Sequence, residues 1–208
     1  MKSKLLISKL KQKDNYMSKI ANMINELCPD GVEFKKLGEV CSFQRGRTIT
    51  SKDAVEGDIP VIAGGQKPSY YHNESNREGE TIAIAGSGAY AGFVSYWNTP
   101  VYLSDSFSVH PNESLLPKYV YYFLLNNQQE IYGTQKGAGV PHVKGASIAH
   151  FEIPVPPLAV QSKIVEILDN FTELEAELEA ELEARKKQYE YYRNKLLTFN
   201  EIGGVLSK

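Results

Sequence analysis

The sequence predicts an α+β protein: a strand-rich domain with short helices, followed by one long C-terminal coiled-coil helix. Three observations carry this reading. Before about residue 157 the apolar residues fall in short runs separated by Gly, Pro, Asn and Asp clusters, the pattern of strands and turns. After PVPP at 154–157 no Gly or Pro occurs until Gly203, and helix formers dominate. With 208 residues, 42% hydrophobic, 23% charged and 13 Tyr, 8 Phe and 1 Trp, the chain has a core to bury and room for one domain plus an accessory element.

Taken in order, residues 1–18 read as an N-terminal extension. The five lysines of this segment accompany no continuous apolar stretch, so it does not resemble a secretory signal, and the cytoplasm is the expected compartment. A helix is predicted across 19–27, ended by Cys28-Pro29-Asp30-Gly31, a type I turn sequence. Strands follow at 59–63, 80–85, 93–97, 101–103 and 107–109, and a helix at 117–131 opens on Pro117. The strand-rich domain thus covers 19–156, the long helix 157–200 and a tail 201–208. No apolar run approaches the ~20 residues a membrane span needs.

The segment 173–184 alternates Glu with Leu or Ala, which by period alone suggests a strand. Composition favours helix, and Leu174, Leu178 and Leu182 recur every four residues. A heptad register places Ile164, Phe171, Leu178, Arg185 and Tyr192 at d and Leu168, Glu175, Leu182, Tyr189 and Leu196 at a. Eight of these ten positions are apolar or aromatic.

Several motifs imitate catalytic sites. Asp30 followed by Glu33-Phe34-Lys35 resembles a metal-nuclease signature, but two intervening residues leave no strand return to bring both carboxylates to one metal, so a turn leading into a strand is expected here. The glycine-rich run GSGAYAG at 86–92 is followed by a strand-like segment rather than by the helix whose N-terminus would hold a phosphate. The four histidines lack metal-ligand spacing, and Cys28 and Cys41 read as packing thiols. No P-loop or adenine-methylating Asn/Asp-Pro-Pro-Tyr sequence is present. Three loops do mix basic, aromatic and amide groups, the residue types that read bases and hold phosphates. They carry Arg45, Arg47 and Lys52; Lys67, Tyr70 and Arg77; and Lys136, His142 and Lys144. Ser87 and Tyr90 of the glycine-rich loop complete the candidate DNA-contacting set. The segment 34–160 nevertheless holds 10 Lys+Arg against 11 Asp+Glu, a net of −1, so weak binding of the isolated chain to duplex DNA is expected.

With these elements placed, the sequence resembles the specificity (S) subunits of type I DNA restriction-modification systems. The resemblance rests on LCPDGVEFKKLGEV at 27–40, GDIPVI at 57–62, IPVPPLAVQ at 153–161 running into IVEILDNF at 164–171, and RKKQYEYYRNKLLTF at 185–199. Ala159-Val160 departs from the family, which commonly has Glu just before Gln, and is expected to be a surface-level change. S subunits commonly carry two recognition domains and two long helices; this chain has one of each and resembles half a subunit. The resemblance implies a non-catalytic target-recognition domain that reads double-stranded DNA. Its helix would dock methyltransferase (M) subunits, which bring S-adenosylmethionine, and a restriction (R) subunit would add ATP- and Mg-dependent chemistry. The chain itself would hold no cofactor or metal. A stand-alone dimeric DNA-binding regulator and a metal-dependent nuclease are the alternative readings.

The seam also implies an antiparallel homodimer, because a residue-number sum of 360 pairs every a position with a d position. It sets Ile164 against Leu196, Leu168 against Tyr192, Phe171 against Tyr189, Leu178 against Leu182 and Glu175 against Arg185. A parallel pair would stack Glu175 on Glu175 and Arg185 on Arg185.

Overall fold

The computed structural model describes residues 13–137 and 139–198. Most of the expected extension at 1–18 and all of the tail at 201–208 therefore lie outside the described residues. The chain divides into two units, with the boundary between Val165 and Glu166.

The first unit opens on α1 (Lys13–Leu27), a helix that begins before the predicted residue 19. It ends at the expected turn, where Gly31 N donates to Cys28 O at 2.9 Å and Gly31 adopts φ +92°. Next come β1 (Phe34–Lys36), a single turn α2 (Leu37–Val40) and β2 (Cys41–Arg45). The strands β3 (Ile59–Ile62), β4 (Tyr70–His72), β5 (Thr81–Ala85), β6 (Val94–Trp97), β7 (Tyr102–Leu103) and β8 (Ser106–Pro111) follow. The helices α3 (Pro117–Asn126), α4 (Gln128–Gly133) and α5 (Gly145–Ile148), then β9 (Glu152–Pro154), lead into α6 (Leu158–Thr198). The predicted helix at 117–131 is thus broken at Asn127. There the side-chain amide donates to Phe123 O at 2.7 Å and the backbone leaves helical geometry at ψ 17°.

The strands form three small sheets. The largest has the order β2-β8-β5-β6 and is antiparallel throughout. A second has the order β4-β3-β7, with β7 parallel to β3, and the third pairs β1 with β9, tying the two ends of the domain together. The turn at 28–31 leads into β1, as the sequence predicted, whereas β2, β4 and β9 were not among the predicted strands. Strands β4 and β9 have only three residues each and β2 (CSFQR) is mostly exposed, so none of them carries the apolar run by which strands announce themselves.

Strand β5 (TIAIA) is buried along its whole length, as a central strand covered on both faces must be. Ile82 and Ile84 enter the main core with Val94, Phe107, Val120, Leu124 and Ile131. Ala83 turns the other way, into a second cluster with Ile62, Val101 and Leu103. Each fully buried isoleucine contributes roughly 1.5–3 kcal/mol relative to its exposed state.

Two buried polar side chains tie the domain together. Gln161, fully buried, accepts from Leu116 N at 2.9 Å and donates to Ser114 O at 2.8 Å and Pro156 O at 2.7 Å. The start of α6 is thereby fastened to the segment that opens α3. The neighbouring Val160 is also fully buried, so the departure from the family pattern at Ala159-Val160 is not confined to the surface.

The second is Arg77, a correction to the sequence reading, which expected it to contact DNA. Its side chain is buried, and Nε donates to Ser108 Oγ at 2.7 Å and Nη1 to Asn76 O at 2.6 Å. Nη2 donates to Gln44 O and Arg45 O, each at 3.1 Å. The guanidinium thus bridges β8 and the end of β2 through four neutral oxygen acceptors. Burial, and then the charge of Arg77, hold His110 below its ordinary pKa.

The second unit, from Glu166 onward, is the remainder of α6, 41 residues long in all and therefore about 60 Å at 1.5 Å per residue. The Glu/Leu/Ala alternation is helical, as composition predicted. Arg185 lies 3.7 Å from Glu181 and Lys186 2.8 Å from Glu183 along the same helix. The seam stands largely open: Phe171, Leu178, Leu182, Tyr189, Tyr192 and Leu196 are all exposed, from 40% at Phe171 to 66% at Tyr189. Ile164, in the first unit, is instead partly buried against the core.

Arg77→Ala removes four hydrogen bonds and leaves buried oxygens unpaired, and is expected to destabilise the protein by about 3 kcal/mol. The exposed Arg47→Ala should change stability by less than about 0.5 kcal/mol. Urea unfolding of the two variants beside the parent measures both.

Candidate nucleic-acid interface

At one end of the largest sheet, the last residue of β2, the last of β5 and the first of β8 lie side by side: Arg45 pairs with Phe107, and Ala85 with Ser106. The residues that flank this end, Gly46 after β2, Gly86 after β5 and Asp105 before β8, are tied together by backbone hydrogen bonds to the start of β8 and to Asp105. Gly46 N donates to Ser106 O at 2.8 Å and Gly86 N to Asp105 O at 2.9 Å. Gly46 must be glycine, since a Cβ there would lie 2.2 Å from Leu103 O.

The loop 136–144 docks onto the same end. Lys136 and His142 exchange backbone hydrogen bonds of 3.0 and 2.8 Å, closing a narrow hairpin whose Gly137 takes φ +121°. Val143 N donates to Gly86 O and Gly88 N to Pro141 O, both at 3.0 Å, so this hairpin is zipped to the glycine-rich loop. That loop is the strand-turn-strand connection the sequence predicted, with Gly88 at φ +85° and Gly92 at φ +92°.

The result is a cleft of about 350 Å³ lined by Phe43, Arg45, Asp105, Phe107, His142 and Lys144, among others. A wider depression beside it is lined by Arg45, Lys136, Gly137, His142, Lys144, Ala146 and Ser147. Arg45, Lys136, His142 and Lys144, drawn from two segments about ninety residues apart in sequence, are therefore brought to one surface, all four exposed. Three fixed positive charges around an aromatic floor form a surface for an anionic, partly planar ligand.

The other sequence candidates fare differently. Arg47, Lys52, Lys67 and Tyr90 are exposed but line neither depression. Tyr70 is half-buried, and its hydroxyl donates to Ile49 O at 2.8 Å, so it braces the loop after β2. Ser87 was expected to present its hydroxyl to DNA. It is buried, and that hydroxyl is donated to the Asp105 carboxylate. Asp105 is not among the sequence candidates, because the residue types that mark a base- or phosphate-contacting loop are cations, aromatics and amides. Its position between two apolar runs, at the mouth of a strand, was the available signal.

Elsewhere, Glu33 pairs with Lys35 at 3.2 Å on the surface. Among the described residues no three His, Cys, Asp or Glu side chains are grouped to hold a metal, and no helix is long and apolar enough to cross a membrane. Burial pushes the Cys41 thiol up to about 12, which removes it as a nucleophile.

Residues 29–184 match the family model described as the type I restriction modification DNA specificity domain. A putative type I restriction enzyme specificity subunit of Haemophilus influenzae is 33% identical over 189 residues, covering 84% of this chain and 48% of that protein. The EcoR124I/EcoR124II specificity subunit of Escherichia coli is 45% identical over 197 residues, covering 81% and 48% respectively. The chain spans about half the length of these curated relatives. Among solved structures, the S subunit of a type I restriction-modification system from M. genitalium superposes with a TM-score of 0.63 at 20% identity, over 82% of this chain and 47% of that one. The HsdS subunit from Thermoanaerobacter tengcongensis gives 0.56 at 19%, over 86% and 48%. These two establish a shared α+β fold.

Arg45→Ala, Lys136→Ala and Lys144→Ala, at the convergent cations, are expected to weaken duplex DNA binding by roughly 1–3 kcal/mol where the residue reads a base, and by less where it holds a phosphate. Lys52→Ala and Lys67→Ala, outside the cleft, should have the smaller effects. Fluorescence anisotropy across the five variants ranks them, and equal losses in all five would detach the cleft from binding.

Proposed function

The chain belongs to the type I restriction-modification DNA specificity family, and on that premise we propose that it is the non-catalytic DNA-recognition subunit of such a system. The observation that carries this reading is the convergence of Arg45, Lys136, His142 and Lys144 at one end of the main sheet, inside the family domain. It reads double-stranded DNA and positions methyltransferase (M) subunits, which bring S-adenosylmethionine and methylate adenine. A restriction (R) subunit supplies ATP- and Mg-dependent translocation and cleavage. No cofactor is held by the chain itself, and the complex works in the cytoplasm.

The near-neutral balance of the recognition segment supports a division of labour. With a net of −1 over 34–160, few phosphate contacts are available, and most of the affinity comes from the M subunits. The test is modification: the chain co-expressed with its M partner should methylate a discrete set of genomic sites, each split by a spacer. The chain alone should bind duplex DNA weakly and with a shallow salt dependence, as few phosphate contacts dictate. Absence of sequence-specific methylation by the complex, or tight binding of random DNA by the chain alone, refutes the reading.

Half the length of its relatives, the chain matches them in domain count when two copies associate. The open seam of α6 supports an antiparallel homodimer in the register given by a residue-number sum of 360. Exposed Leu178 then covers Leu182, Phe171 covers Tyr189, and Glu175 meets Arg185. The acidic stretch before residue 184 lies beside the basic stretch after it. Ile164, partly buried against its own core, contributes least, so the outermost layer with Leu196 is the weakest. In a variant with Cys28 replaced by serine, cysteines at positions 178 and 182 together should cross-link two chains on oxidation, and cysteine at 175 alone should not. The reverse pattern overturns the register, and a monomer by light scattering at micromolar concentration overturns the dimer.

A further inference from the structure

Asp105 is an anomaly in a surface built for an anion. It lines the cleft beside Arg45, His142 and Lys144, and its side chain is 38% exposed. A carboxylate there repels phosphate, since like charges a few ångströms apart oppose each other even in water. Its ion pair with Arg45 is a poor reason for its presence. The closest approach is 3.9 Å, and Arg45 is 80% exposed, a geometry in which such pairs contribute little.

The carboxylate is held in place by other means. Oδ2 accepts the hydroxyl of Ser87, and the backbone carbonyl of Asp105 accepts from Gly86 N at 2.9 Å. These bonds leave Oδ1 turned toward Arg45, with lone pairs to spare. A fixed carboxylate oxygen can only accept hydrogen bonds. On the major-groove edges of DNA the donors available to it are the amino groups of cytosine and adenine.

The partner decides between them. Arg45 offers a donor fork, which is best satisfied by the two acceptors of guanine, O6 and N7. In a G·C pair the guanine O6 and the cytosine amino nitrogen are hydrogen-bonded to each other, about 2.9 Å apart. A donor and an acceptor that read this pair must therefore sit side by side, as Arg45 Nη2 and Asp105 Oδ1 do at 3.9 Å. An A·T pair would also offer Asp105 an amino group, but it leaves the Arg45 fork a single acceptor on the thymine.

We propose that Arg45 and Asp105 form one reading unit for a single G·C pair of the target, Arg45 donating to guanine and Asp105 accepting from the cytosine amino group. The inference rests on the recognition role proposed above and adds to it the identity of one base pair.

The test uses the full chain in complex with its M partner. The near-isosteric Asp105→Asn retains an acceptor for Ser87 while removing the charge, and methylation sites are mapped beside those of the parent and of Arg45→Ala. Both variants are expected to lose discrimination at the same position, a G·C pair, with modification of the original site reduced about 10-fold in Asp105→Asn. A second measurement needs no variant. Unaltered complex binding a duplex with N4-methylcytosine at that position should lose about 10-fold, because the methyl group takes the place of the hydrogen that Asp105 would accept. Relaxation at different positions, relaxation at an A·T pair, or indifference to N4-methylcytosine at every G·C pair of the site overturns the proposal. Failure of the recognition reading itself is distinguishable, since the parent complex would then methylate no specific site.

Discussion

The cleft depends on the burial of one guanidinium. Arg77 reaches from the loop before β5 and donates hydrogen bonds to the backbone carbonyls of Gln44 and Arg45 and to the Ser108 hydroxyl. Strand β2 is otherwise poorly secured. It pairs on one side only, with β8, and most of its side chains face solvent. By bonding the carbonyls at its last two residues, Arg77 fixes where β2 ends and thus where Arg45 begins its excursion into the cleft. A neutral side chain of similar size could supply neither the number of donors nor their fork geometry. The cost of desolvating the charge is offset by four oxygens, three of them on β2 and β8 and one, Asn76 O, in the loop beside it.

This explains why the sequence misassigned Arg77. A basic residue in a loop rich in Asn, Glu and Gly has the composition of a solvated contact, and nothing local shows that the loop folds across a sheet end. The fold class, the long helix, the turn at 28–31 and the strand-turn-strand form of 86–92 were legible because each is a local pattern of period, propensity or turn chemistry. Strand β9 was not, since three residues carry no period of their own and its identity comes from β1, more than a hundred residues away. The convergence of Arg45 with Lys136, His142 and Lys144 was legible in residue type but not in place. Lys52 and Lys67 have the same chemistry in similar loops, and only the antiparallel register of β2, β8 and β5 separates the two groups.

The long helix shows a related division. Its heptad pattern is readable from sequence, and the exposure of Leu178, Leu182 and Tyr189 agrees with a surface that lacks its cover in the single chain. The first turns are different. Val160 and Gln161 are fully buried, and Gln161 satisfies three backbone groups that would otherwise be unpaired beside α3. A helix that begins as part of a core and continues as an open seam must change the facing of its apolar residues between the two, and Ile164 lies at that change. Ile164 is therefore less open to a partner than Leu196 at the other end of the helix.

Charge is used sparingly, and the sparing use has a physical consequence under the proposed role. A domain with many lysines spread over its face would hold any duplex, because phosphate contacts are blind to sequence. Here the segment 34–160 carries no net positive charge, while three of its ten basic residues and His142 gather at one cleft, and a carboxylate is fixed among them. The carboxylate lowers affinity for every backbone alike, and it can recover that loss only where a base presents an amino group. An acceptor held beside a donor fork therefore raises the difference between right and wrong sequences at the expense of total affinity. A recognition domain that works beside partner subunits can tolerate that exchange, since affinity can be supplied by any surface of the complex, whereas discrimination must come from groups that touch the base pair.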